Sequence, residues 1–249
     1  EQINGVAINM AGLRCRTSLL WEFRQKIDEI KASGKEVIIH LDRASAGLYY
    51  LASSADRLTM DPYGGLSLPG MVLSRSYLKG TLEKLGLGFQ AHRYFKYKSA
   101  VEVLSRDSMR DADRQQRQRI VDVIYETLRN GSAKSRNLSE DQMDNIIDEM
   151  GELLTADALN NGLIDASARW DQLGKWLQEE RQASFAPGDL IKPRREFVDD
   201  QWGPNLKIPV VYAVGECAMD SGIKGRSTSA YLRSLINDPN VAAVVLRAD

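Results

Sequence analysis

Short apolar runs rich in β-branched residues alternate along this chain with segments whose apolar residues recur at helical spacing, and that alternation limits the fold more than any other feature. Ile3–Met10 reads as a short strand. Ser18 then offers a helix N-cap, Leu19, Leu20, Phe23, Ile27 and Ile30 fall on one helical face, and Gly34 stops the helix. Val37–Leu41 is a second, buried strand, and Ala44–Ser54, rich in small residues around Tyr49 and Tyr50, reads as a closely packed helix. Arg57–Met60 is a third strand, ended by the turn cluster Asp61-Pro62-Tyr63-Gly64-Gly65. Ser76–Leu85 is helical and closed by Gly86, and Phe89–Tyr94 reads as a fourth strand.

The pattern continues with a long helix over Asp111–Arg129, apolar at Ile120, Val121, Ile124 and Leu128 and stopped at Gly131. Ser139 and Gln142 have the spacing of a capping box, so a helix is expected to follow. Thr155–Asn161 is a short helix ended by Gly162, with Leu163-Ile164-Asp165 leading out. Residues 186–207, with Pro187 and Pro204, show no periodicity and read as a linker. Beyond it come a strand from Val210 to Val214, a helix from Ser229 to Ile236 and a strand from Val241 to Leu246. Strand–helix alternation implies a mostly parallel α/β sheet flanked by helices. Residues 240–246 also resemble residues 2–8, with Asn240 falling on Gln2. This similarity suggests two copies of one fold, both cut by the ends of the sequence: residues 1–185, a linker over 186–207, and an incomplete second copy over 208–249.

Composition narrows the function. The 249 residues are 43% hydrophobic and 27% charged with a net charge of −1, which is globular and lacks the basic excess of a nucleic-acid binder. Cys15 and Cys217 form no CxxC pattern, and two free thiols or one disulfide would both fit. His40 and His92 have no companions at ligand spacing, so no metal site is expected; His40, at the end of an apolar run, reads as a packed residue. No run reaches the ~18 apolar residues of a membrane helix. The chain opens at Glu1, just ahead of a strand, so a fragment is expected. Gly86-Leu87-Gly88 lies between a helix and a strand, the reverse of a dinucleotide loop. Gly65-Leu66-Ser67-Leu68-Pro69 ends in proline where a nucleophile elbow needs glycine. The charges of Arg110–Arg119 read as the solvated face of the long helix.

Tyr94-Phe95-Lys96-Tyr97-Lys98-Ser99-Ala100-Val101-Glu102 stands apart, with two lysines among three aromatics. A lysine serves as a general base only where its ammonium form is disfavoured, by burial or by a neighbouring cation. The aromatics could supply the burial and Lys96 the cation; in an extended segment Lys96 and Lys98 share one side. Two lysines snorkelling over an apolar edge would fit the same residues.

The stretch Tyr97–Glu102, followed by Arg106-Asp107-Ser108-Met109, resembles the lysine motif of signal peptide peptidases of the protease IV type. Ser33-Gly34-Lys35, Tyr49–Ser53, Thr155–Leu159 and Gly162–Asp165 resemble the N-terminal domain of that family. Asp238–Val241 and Val245–Arg247 resemble the opening of its C-terminal domain. The resemblance implies a ClpP/crotonase-like fold repeated twice and a Ser/Lys dyad with Lys98 as general base. Ser99 is then a candidate to orient Lys98, or a small packing residue. It implies no cofactor and no metal, peptide substrates such as cleaved signal peptides, and a homo-oligomeric ring. It also implies an anchor in the bacterial cytoplasmic membrane through an upstream segment, with the catalytic part on the outer face. The position matching the family's nucleophilic serine is Ala46; Ser45, one residue away, points ~100° elsewhere at a helix start. The nucleophile and the oxyanion-hole segment are therefore expected outside these residues. Two other readings stand beside the protease: a non-catalytic repeat used in ring assembly, and an acyl-CoA enzyme of the crotonase type.

Overall fold

A computed structural model describes residues 3–181 and 206–248. The chain divides into two compact units, residues 1–185 and 186–249. The linker expected over 186–207 lies almost wholly outside the described residues.

The first unit is built on a mainly parallel sheet. Strands β1 (Gly5–Asn9), β2 (Glu36–Ser45) and β3 (Arg57–Ser67) run parallel in that order. β4 (Glu152–Leu154) pairs antiparallel with the end of β3, and β5 (Ala166–Ser167) pairs parallel with its start. Between β1 and β2 lies helix α1 (Thr17–Ala32), which buries Leu20, Arg24 and Ile27 along one stripe and stops at Gly34, where φ is +79°. α2 (Ala46–Ala52) starts directly at the end of β2.

Alternation along β2 sorts the layers, because successive side chains point to opposite faces. Val37, Ile39 and Leu41 join the main core with Leu20 and Ile27 of α1 and with Leu48, Tyr49 and Leu51 of α2. Ile38 faces the other way, against Leu173 and Leu177 of α8 (Trp170–Arg181). His40 lies on that face too, with its ring 5.7 Å from that of Trp170 and Nδ1 3.1 Å from Thr59 Oγ1. It is the packed residue the sequence suggested, and burial pushes its pKa down.

Several expectations change. The turn cluster Asp61–Gly65 does not end a strand: β3 passes through it, and the register slips where Leu41 faces Met60 but Arg43 faces Gly65. Gly131 does not stop the long helix either. α5 runs over Asp111–Ser135, and Gly131 is where it presses on α2. A Cβ there would come within 3 Å of two ring carbons of Tyr50. On α5 Leu128 is buried as expected, whereas Ile120 is 45% exposed. The helix expected over 76–85 shortens to α3 (Lys79–Lys84), and residues 89–94 form no strand.

α4 (Glu102–Ser105) and α6 (Glu140–Glu149) complete this unit with α7 (Thr155–Asn160). The capping box at Ser139 and Gln142 is present in full. The second unit holds β6 (Val210–Ala213), α9 (Gly225–Ile236) and β7 (Val245–Ala248), with β6 and β7 parallel. Val211 and Ala213 are its buried apolar residues among those described. Cys15 and Cys217 are both free thiols.

Candidate active site

The Lys98 segment is a loop of two tight turns. Lys98 N–H donates to the Phe95 carbonyl (3.2 Å) and Glu102 N–H to the Ser99 carbonyl (3.0 Å). This corrects two expectations. Lys98 does not end a strand, so Lys96 and Lys98 do not alternate on one side of a sheet. Nor do the aromatic flanks bury it: Tyr94 is 89% and Phe95 73% exposed, and Lys98 is exposed itself. Apolar burial went to the sheet and α2, leaving these rings without a cover among the described residues. Lys96 instead lies over the Tyr97 ring, 5.0 Å from its centroid.

Lys98 lines a groove of about 670 Å³ with His92, Tyr94, Phe95, Ser99 and Gln116. Its side chain makes no hydrogen bond or ion pair among the described residues. The backbone on either side of it is tightly held by contrast. Arg110 Nη2 donates to the Lys96 carbonyl (2.6 Å), and Arg75 Nη2 donates to those of Ser99 and Ala100 (both 2.8 Å). Both arginines are ion-paired: Arg75 with Asp113 (2.8 Å), and Arg110 with Glu102 (2.9 Å), which Arg93 also meets. Asp113 is 1% exposed and Glu102 fully buried. Burial alone would raise the Asp113 carboxyl; bonds from Ser99, Arg117 and Arg75 outweigh it and hold it below its ordinary range. The arginine-rich start of α5 is therefore not a uniformly solvated face, since Arg110 and Arg117 both reach buried carboxylates.

Ser99 lines the same groove as Lys98, and its hydroxyl helps to lower the Asp113 carboxyl. Ala46 and Ser45 look into separate spaces. Ala46, half-buried, lines a small apolar cavity with Tyr49, Leu128 and Met143. Ser45 lines a groove of about 560 Å³ at the carboxyl ends of β2 and β3, with Gly12, Arg43, Gly64 and Glu152. Neither space shares a residue with the Lys98 groove, so the structure does not bring Ser45 or Ala46 to Lys98. Arg75, Arg110 and Asp113 escaped the sequence reading. The available signal was Glu102, an acid set among Val101, Val103 and Leu104 inside the lysine motif.

Helices on both faces of a mainly parallel sheet define an α/β protein, and Lys98 is held out from it on a clamped loop. The chain belongs to peptidase family S49, whose family model matches residues 29–184. That agrees with the fold class expected from sequence, α/β of the ClpP/crotonase-like type. It is 30% identical over 243 residues to "Protease 4" of Salmonella typhi, covering 89% of this chain and 38% of that protein. Against "Protease 4" of Haemophilus influenzae identity is 29% over 245 residues, covering 90% and 39%. Against "Serine protease SPPA, chloroplastic" of Arabidopsis thaliana it is 28% over 148 residues, covering 59% and 22%. The chain thus spans about two fifths of the length of the bacterial relatives. A solved peptidase from Plasmodium falciparum aligns with a TM-score of 0.37 at 9% identity over 67% of this chain and 81% of that one, too distant to bear on function. Among the described residues no helix is long and apolar enough to cross a membrane.

Proposed function

We propose that this chain supplies the general base, Lys98, of a Ser/Lys serine endopeptidase that degrades cleaved signal peptides and other polypeptides. The observation that carries this reading is the Tyr97–Glu102 motif in a chain of family S49, with its lysine side chain lining a groove and unpaired among the described residues. The neutral Lys98 amine takes the hydroxyl proton of a serine as that oxygen attacks the scissile carbonyl. The resulting ammonium then protonates the departing amine. In deacylation Lys98 takes a proton from water and returns it to the serine. The serine and its oxyanion donors come from outside residues 1–249, because the matching position here is Ala46 and Ser45 faces another groove. The exposed Tyr94, Phe95 and Tyr97 offer an apolar surface that such a neighbour would cover, desolvating Lys98 on docking.

The remaining parts of this reading are a second fold copy opened by residues 208–249, assembly into a homo-oligomeric ring, and attachment to the bacterial cytoplasmic membrane with catalysis on its outer face. Ala46 also favours a purely structural role for the first copy's own serine position, which is compatible with a base-donating repeat. Membership of a peptidase family leaves the acyl-CoA enzyme without support.

Peptidase assays on the full-length protein test the proposal. Lys98→Ala lowers kcat by at least the ~10²–10⁴-fold of a lost general base, with folding retained. Lys96→Ala keeps most activity. Residues 1–249 alone hydrolyse no peptide. Full activity in Lys98→Ala contradicts the proposal, and loss in Lys96→Ala alone moves the role to that lysine.

A further inference from the structure

Lys98 sits between two arginine clamps, and the tighter one is Arg75. Its side chain is only 10% exposed. Nη2 donates to two consecutive carbonyls, those of Ser99 and Ala100, while Nη1 donates to Asp113 Oδ2, all at 2.8 Å. Asp113 is held in turn by Arg117 Nε, at 3.0 and 3.1 Å from its two oxygens. On the other side of Lys98, Arg110 holds the Lys96 carbonyl and pairs with the buried Glu102.

An exposed loop needs none of this to exist, since its carbonyls can be solvated by water. Buried ion pairs carry a desolvation cost that well-packed apolar residues would avoid, so they are weak devices for stability alone. A planar guanidinium fork has another effect. By engaging two carbonyls in succession it fixes the backbone leaving Lys98, and with Arg110 on the residue 96 carbonyl it fixes the direction in which the Lys98 side chain leaves the backbone. Among the described residues the side chain itself is left without partners, open to an incoming group.

We propose that Arg75, braced by Asp113, is a positioning residue that presents Lys98 to the nucleophile. This inference rests on the general-base reading above.

The experiment uses the full-length protein with Arg75→Lys, Asp113→Asn and, in parallel, Lys98→Ala. Rates are expressed per active serine, counted by end-point titration with an aryl phosphonate. Arg75→Lys keeps the charge but loses the fork; its kcat per titrated site is expected to fall ~10–100-fold, the scale of a ~1 Å misplacement. KM is expected to stay within about twofold, the pattern of an interaction lost in the transition state alone. Asp113→Asn, which keeps the shape but loosens the brace, is expected to fall in the same sense by a smaller factor. Fewer titratable sites with an unchanged kcat per site would show a merely structural role and overturn the proposal, as would wild-type kinetics in both variants. Should Lys98→Ala remain active, the general-base reading fails whatever Arg75 does. With Lys98→Ala inactive and Arg75→Lys at wild-type rate, only the positioning role fails.

Discussion

Glu102→Gln isolates the charge at the centre of the lysine loop. The substitution is isosteric, so no cavity opens, and the amide oxygen can still accept from Arg93. What is lost is the charge on a side chain with no exposure, facing two arginines that are 25% and 30% exposed. Removing one partner of a fully buried pair costs about 3–5 kcal/mol because the other charge is stranded. Here both arginines reach water and can rehydrate in part, so that figure is an upper bound. The one charge-assisted bond, from Arg93, loses about 1 kcal/mol when demoted to an ordinary one, and the lost attraction to the part-exposed Arg110 adds up to about 1 kcal/mol, giving at most ~2 kcal/mol. Among the described residues Glu102 Oε2 is buried without a hydrogen-bond partner in the wild type, and the amide group placed there gains nothing from them to offset the loss. In urea unfolding followed by circular dichroism, the midpoint should drop by up to about 1 M at unchanged slope for a slope near 2 kcal/mol/M. The deficit should persist in 1 M NaCl, because buried pairs are poorly screened. A loss below about 0.5 kcal/mol, or one that vanishes in high salt, would refute the buried-clamp account of this loop.

Two further outcomes follow from the scaffold. Gly131→Ala pushes a methyl into the buried Tyr50 ring, and a loss of about 1–3 kcal/mol is expected in the same assay; a neutral result would mean that α5 does not press on α2 there. Asp165 is raised by burial but lowered further by bonds from Arg136 (2.7 and 2.9 Å) and Leu58 N–H (2.7 Å), so it titrates below its ordinary range. A depressed carboxyl stabilises the fold fully above its unfolded pKa of about 3.9, and that contribution fades as pH falls through the folded value. Tm measured from pH 7 downward should therefore drop more steeply in wild type than in Asp165→Asn, and equal slopes would contradict the assignment.

The sheet was legible because its signals are local. Val37–Leu41 is a run too apolar to be anything but a buried strand, and Ser139 with Gln142 carries its own hydrogen-bond logic. The misreadings share a cause, which is that tertiary contact overrode a local rule. Gly131 breaks helices by propensity, yet here the missing side chain lets Tyr50 approach, and the helix continues. Asp61–Gly65 has turn composition, yet strand pairing on both sides carries β3 through it. Residues 89–94 have strand composition and find no partner strand. The lysine was legible from its motif, but its surroundings were not. Arg75 lies more than twenty positions before Lys98 and Asp113 more than ten after it, and no periodicity ties an arginine to the carbonyls it will hold.

The central claim is that the base lies in this chain and the nucleophile outside it. Labelling full-length protein with an aryl fluorophosphonate, then mapping the modified serine by mass spectrometry, addresses both halves at once. The account predicts one labelled serine beyond residue 249, and a labelling rate in Lys98→Ala lower than wild type by ~10²-fold or more. A label on Ser45 or Ser99, or an unchanged rate in Lys98→Ala, would contradict it.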